Sequence, residues 1–165
     1  MASSIRNVAF DCPDPYSLAG FWSEVVGHPV DRDFVPGDTE VVIEPLGGPR
    51  LFFQAVPENK TVKNRVHVCL QPADRDRDAE VDRLLALGAQ LLADHRTSDG
   101  DGWVVLLDPA GNEFCVTRST AERHPPAVPP PGEAAAQRHR GQDGLVHGDP
   151  AAGAIGGEPV APQSR

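Results

Sequence analysis

Hydrophobic and polar residues alternate from Ile5 to Asp11, and the alternation ends at CPDP, which marks a strand running into a turn. A helix is predicted next. Asp14 stands at a capping position, Pro15 suits a first helical residue, and Leu18, Phe21, Trp22, Val25 and Val26 recur every three or four residues until Gly27 stops the pattern. Three extended segments follow, Pro29 to Phe34, Thr39 to Glu44 and Leu51 to Val56, divided by the turn sequences VPGD and LGGP. After the polar bridge PENKTVKN (57–64) the same order returns. Arg65 to Leu70 reads as a strand, and a helix starting between Asp74 and Asp78 carries Val81, Leu84, Leu85 and Leu87 before closing at Gly88. Ala89 to His95, Trp103 to Leu107 and Glu113 to Thr117 read as three more strands around the turns SDGDG and DPAGN. Each half is therefore βαβββ, and a repeated order of elements predicts two stacked copies of one unit. The alternative is an α+β sandwich without internal symmetry; a Rossmann domain is the weaker alternative, because no GxGxxG follows the first strand and the strands come in runs of three. Phosphate-loop and GxSxG patterns are also missing.

Composition divides the 165-residue chain unevenly. All the aromatic residues precede Thr120, whereas residues 121–165 hold eight of the 17 prolines and seven of the 16 glycines. Such a segment has too little apolar surface to offset the entropy of ordering, so the prediction is a folded domain over 1–120, with modules at about 5–57 and 64–118, and a disordered Pro/Gly-rich tail. Its stretch HPPAVPPPG reads as polyproline II, a stiff spacer or alternatively a recognition ligand. The formal charge of -9 argues against nucleic acid and anionic membrane surfaces as partners. The start MASSIRNVAF has no apolar signal core and no run approaches a membrane span, so a cytoplasmic protein is expected. Cys12, Cys69 and Cys115 are scattered and form no CxxC pair, so they are expected to be reduced.

The segments VAFDCPDPYSLAGFWSEVVG, KTVKNRVHVCL and LLDPAGNEFCV resemble the glyoxalase-like branch of the vicinal oxygen chelate superfamily, which includes glyoxalase, bleomycin-resistance and extradiol dioxygenase-type proteins. The resemblance spans residues 5 to 118, and KNRVH and DPAGNEF are its most specific pieces. It implies an α+β fold in which two tandem βαβββ modules form an open, cup-shaped mixed sheet around a small-molecule cavity, and it implies a homodimer. Metal-using members draw their ligands from the cup-facing side of the first and last strands of each module. Position by position, this gives Asn7, Gln54, His67 and Cys115. Of these only His67 matches the usual pattern; Asn7 stands where a histidine is common, Gln54 is a neutral donor, and Cys115 replaces the carboxylate of DPxGNxxE. Such a set would hold Mg²⁺ or Mn²⁺ weakly, and the expectation is no cofactor, with zinc or iron as the alternative. Cys69, two residues beyond His67 on the same strand face, is a candidate to assist zinc.

Alternation places Asn7, Ala9 and Asp11 on one face of the first strand. If that face lines the cup, Asp11 and His67 form a carboxylate–imidazole pair able to act as a general base; alternatively, Asp11 caps the CPDP turn and His67 is a hydrogen-bonded core histidine. Glu113 is a further acid or base candidate, or else a solvated residue after a hairpin turn. Phe52 and Trp103, with Phe53 and Phe114, offer flat apolar walls for a ligand or simple core packing. Lys60, Lys63 and Arg65 form the one basic cluster, for an anionic ligand or for ion pairs across a boundary. His28 and His95 have no ligand spacing. The function expected from all this is binding of a small organic molecule in the cup without a complete metal site. The alternatives are a metal-dependent lyase, isomerase or dioxygenase acting on a substrate with vicinal oxygens, and a non-catalytic interaction protein.

Overall fold

In the computed structural model, which describes residues 2–124, strand β1 (Asn7–Cys12) feeds helix α1 (Pro15–Val26) through a cap that the sequence supplies. The Asp14 side chain accepts the Ser17 amide at 3.1 Å, and Gly27 ends the helix in the left-handed conformation at φ 67°, a backbone state that favours glycine. Strands β2 (Glu40–Ile43) and β3 (Arg50–Ala55) complete the first sheet in the order β1-β3-β2, with β3 parallel to β1 and antiparallel to β2. The strand expected over Pro29 to Phe34 does not form. Pro29 has no amide to donate, and the Asp33 amide bonds to the Asp31 side chain at 3.2 Å, so local turn bonds outcompete a ladder; only the Asp31 amide reaches across, to the Val42 carbonyl at 3.4 Å.

The second module comprises β4 (Val68–Leu70), α2 (Arg77–Ala86), β5 (Gln90–Asp94), β6 (Val104–Leu107) and β7 (Glu113–Val116), with sheet order β4-β7-β6-β5. Asp76 caps α2 by accepting the Ala79 amide at 2.7 Å, inside the window expected for its start. A short helix α3 (Thr120–Arg123) follows. Its capping box joins Ser119 and Glu122, and Glu122 also accepts the backbone amide of Arg77 at 2.9 Å. Order therefore extends past residue 120, the expected domain end, because a local capping signal and a contact to α2 hold this turn. The remainder of the expected tail, with nearly all of HPPAVPPPG, lies outside the described residues.

Alternate residues of both sheets enter one core. Phe10, Ile43 and Phe53 from the first sheet and Leu106, Phe114 and Val116 from the second are buried with Leu18, Phe21 and Trp22 of α1 and Leu84 of α2. The Trp22 ring lies 4.9 Å from Phe10 and 5.3 Å from Phe114, which makes it the apolar bridge between modules. Its polar end is satisfied as well. Trp22 Nε1 donates to Asp108 Oδ2 at 3.1 Å, while Asp108 Oδ1 accepts the amides of Ala110 at 2.9 Å and Asn112 at 2.8 Å. A second tie runs from Arg83 of α2 to the carbonyls of Glu24 and Val25 at the C-terminal end of α1, at 3.0 and 3.4 Å.

Asp108 is fully buried, so Asp108→Ala leaves four donors without this partner, those of Trp22, Ala110 and both the backbone and the side chain of Asn112, and is expected to cost about 3 kcal/mol or more, against roughly 1 kcal/mol for removing one neutral hydrogen bond. Urea denaturation of the two proteins measures this, and a loss below about 1 kcal/mol would show that Asp108 does not anchor the modules.

Candidate functional site

Side chains alternate across a strand, so the residues of β6 and β7 that stay out of the core point to the opposite face of the second sheet. There Val105, Cys115 and Thr117, joined by Trp103, line a cavity of about 330 Å³ together with Lys63, His67, Cys69 and His95. Parallel pairing of β4 with β7 sets Cys69 directly opposite Cys115, and His67 shares the parity of Cys69. The donor atoms of His67, Cys69 and Cys115 all lie within 4.8 Å of one another. Cys115 is buried, and that burial, followed by the neighbouring Cys69, pushes its thiol up to about 11. Cys12, also buried, belongs to the core and takes no part.

The far wall is a hairpin. The His95 amide donates to the Trp103 carbonyl at 2.9 Å, and the two rings lie 5.0 Å apart at 35°. Gly102, at φ 89°, makes this approach feasible, since a Cβ at that position would overlap the His95 carbonyl. Arg77 is buried and fixes the turn by donating from Nη1 to the carbonyls of Asp101 at 2.9 Å and Gly102 at 3.1 Å. Both rings are thus positioned by residues that never touch the cavity.

The residues predicted from sequence divide between three places. His67, Cys115 and Trp103 meet in the cavity, as does Cys69. Asn7, Gln54 and Phe52 belong to the first sheet, where Asn7 and Gln54 are exposed and Phe52 is half-buried, and none of them lines the cavity. Asp11 and His67 border a separate groove of about 280 Å³ between β1 and β4. Among the described residues no hydrogen bond joins Asp11 to His67. The alternative roles fail too: Asp14, not Asp11, caps the turn, and His67 is exposed rather than in the core.

Glu113 is neither solvated nor free to act as a base. It is 7% exposed, and its two oxygens accept from Lys60 Nζ at 3.0 Å and from the Asn64 amide at 3.1 Å, which pins the inter-module bridge to β7. Burial by itself would raise this carboxyl, but the Asn64 amide and the Lys60 ammonium outweigh it and hold the group below its ordinary 4.5. Of the basic cluster, Lys60 is thus an ion-pair residue, while Lys63 reaches the cavity. His95 has no site role in the sequence reading, whereas Lys63 enters there as a member of the basic cluster. The register of β5 against β6, which sets residue 95 beside 103, is the signal that finds His95.

The metal implied by the family resemblance does not fit this arrangement. Asn7 and Gln54 are exposed and do not line the cavity that His67 and Cys115 enter, and none of the four is a carboxylate, so a hard divalent ion lacks the anionic oxygen donors it needs.

Paired α+β modules with open mixed sheets, joined through a shared core, define the architecture of the vicinal oxygen chelate proteins. Within that class, the family model described as Glyoxalase-like domain matches residues 7–117, and the chain belongs to that family. Comparison with curated proteins finds no match. Among solved structures the chain is similar to a glyoxalase/bleomycin resistance protein/dioxygenase family enzyme from Burkholderia phytofirmans PsJN, at TM-score 0.54 and 20% identity, covering 69% of this chain and 97% of that one. It is also similar to a mutant of the genomically encoded fosfomycin resistance protein of Listeria monocytogenes, complexed with manganese(II) and a dihydroxypropylphosphonic acid, at TM-score 0.58 and 16% identity, covering 74% and 95% of the two chains. A lactoylglutathione lyase from Agrobacterium tumefaciens matches at TM-score 0.50 and 22% identity, over 70% of this chain and 93% of that one. At these identities the likeness shows the fold.

Because the folded-state pKa of Glu113 is depressed, its contribution to stability is present above the ordinary 4.5 and is lost as pH falls through the lower folded value. Lys60→Met is expected to destabilise the protein by about 1.5–3 kcal/mol near pH 7, and this penalty shrinks in acid once Glu113 protonates. Denaturant melts at the two pH values measure it; an equal penalty at both places the effect in the lysine stem and not in the charge pair.

Proposed function

We propose that the chain binds a small organic molecule with a flat apolar portion and an oxygen-rich or anionic end in the second-module cavity, without the four-ligand metal of the superfamily. The observation that carries this reading is Trp103. The residue is 46% exposed and its ring is tilted at 35° against that of His95, at a cavity whose walls are predominantly apolar. An exposed indole held by a rigid hairpin is a costly surface to leave in water, and it gives a planar ligand a face to stack on. The volume of about 330 Å³ falls at the lower end of the range for small-molecule sites.

Each wall residue has a role in this reading. Trp103 and His95 receive the flat part of the ligand. Val105 and the Thr117 methyl form the apolar floor, and Lys63, which makes no ion pair among the described residues, offers a cation to the anionic end. Affinity comes mainly from stacking and exclusion of water, and orientation from the single cation. No covalent or proton-transfer step is needed, and the engaged carboxylate of Glu113 supplies none. The relatives named as lyase and resistance enzyme supply the precedent of a ligand-binding fold, not the identity of the ligand.

A panel of aromatic carboxylates tests the reading. Binding raises the melting temperature through RT ln(1 + [L]/Kd) and quenches the fluorescence of Trp103, the exposed member of a pair in which Trp22 is buried. Trp103→Ala is expected to weaken binding roughly tenfold while leaving the unliganded stability almost unchanged, since half the ring is already in water. Unaltered affinity in Trp103→Ala, or a panel with no binder at all, overturns it.

A further inference from the structure

We infer that His67, Cys69 and Cys115 form a binding site for a thiophilic d¹⁰ cation, with Zn²⁺ as the ion best matched to the set. The inference goes beyond ligand binding and does not depend on it, because the ion site stands whether or not the cavity takes an organic molecule. It also differs from the superfamily quartet: all three residues belong to the second module, and Cys69 is not one of the quartet positions.

The backbone does most of the work. Cys69 and Cys115 are direct partners in the parallel β4–β7 ladder, so their two sulfurs face the same side at one level of the sheet. His67 lies two residues before Cys69, on the same side and just ahead of β4, where its exposed ring is free to turn. The three donor atoms already lie within 4.8 Å of one another. Zinc bonds of about 2.3 Å to sulfur and 2.0–2.1 Å to nitrogen in a tetrahedron separate the donors by about 3.5–3.8 Å, so side-chain rotation suffices to close the site. Two thiolates with one imidazole select a soft or borderline ion and reject Mg²⁺ and Ca²⁺, which want oxygen. The fourth position faces the cavity and is left for a solvent or ligand oxygen. On binding, each thiol gives up its proton to solvent, so uptake of the ion is accompanied by proton release and is stronger at higher pH.

The test uses the full chain, reduced and stripped with a chelator, and the metals alone. Titration with Co²⁺ is expected to saturate at one equivalent and to develop near-ultraviolet thiolate-to-cobalt charge-transfer absorption, which Zn²⁺ then displaces. Cys69 is exposed, so Cys69→Ser leaves the core intact; it is expected to remove about half of that absorption and to weaken Zn²⁺ on the order of tenfold or more. Cys115 is buried and its substitution perturbs folding, so a second measurement uses the parent protein: Zn²⁺ should protect Cys69 from alkylation by iodoacetamide. A cobalt spectrum without thiolate absorption, an unchanged Zn²⁺ affinity in Cys69→Ser, or alkylation of Cys69 at the same rate with and without Zn²⁺ overturns the assignment.

Discussion

One buried side chain holds both halves of this domain in register. Asp108 accepts an indole N–H from α1 of the first module and two amides from its own β6–β7 turn. Neither set of partners is dispensable, because a buried acceptor of this kind is tolerable only when its lone pairs are used. The same residue therefore fixes the shape of the turn and the place where Trp22 docks. Trp22 in turn carries the aromatic contacts to Phe10 and Phe114, so the polar anchor and the apolar bridge between modules act on one side chain. The turn leads directly into β7, and with it into Glu113 and Cys115.

The cavity that follows is asymmetric in origin. Both modules contribute to the core, yet only the second lines the space around the thiols and Trp103. Asn7 and Gln54, on the first sheet, are exposed and do not line it. The cluster of His67, Cys69 and Cys115 accordingly lies within one module. The hairpin wall is rigid for reasons remote from the cavity. Arg77 and Gly102 set its turn, so His95 and Trp103 are placed before any ligand arrives.

Local signals were readable and relations between distant segments were not. Asp14, Pro15 and Gly27 announce α1 because capping and left-handed backbone are properties of a few adjacent residues. Asp76 likewise falls where the acidic start of α2 was expected. The extended reading of Pro29 to Phe34 rested on the turn sequence that follows it, and the Asp31 side chain, which accepts the Asp33 amide, acts within the segment and defeats the ladder. STAE was a capping box in plain view, but averaging composition over residues 121–165 hid it. That Cys69 and His67 share a face was legible from strand parity; that Cys69 stands opposite Cys115, and that Asn7 and Gln54 do not line the same cavity, was not, since both depend on pairing between distant strands, which no periodicity encodes. Glu113 shows the same limit: its place on β7 was legible, whereas the lysine that neutralises it lies 53 residues earlier.

The bond between Lys60 and Glu113 also constrains how the sequence can drift. A Glu113 carboxylate that has lost Lys60 is left nearly buried with only the Asn64 amide, and a Lys60 that has lost Glu113 is left part-buried and unpaired, so either change alone is costly. Two apolar replacements made together are tolerated far better. Among descendants of a common ancestor these two positions should therefore change as a couple, and a lineage that lost the pair would be recognisable by a matched hydrophobic substitution at both.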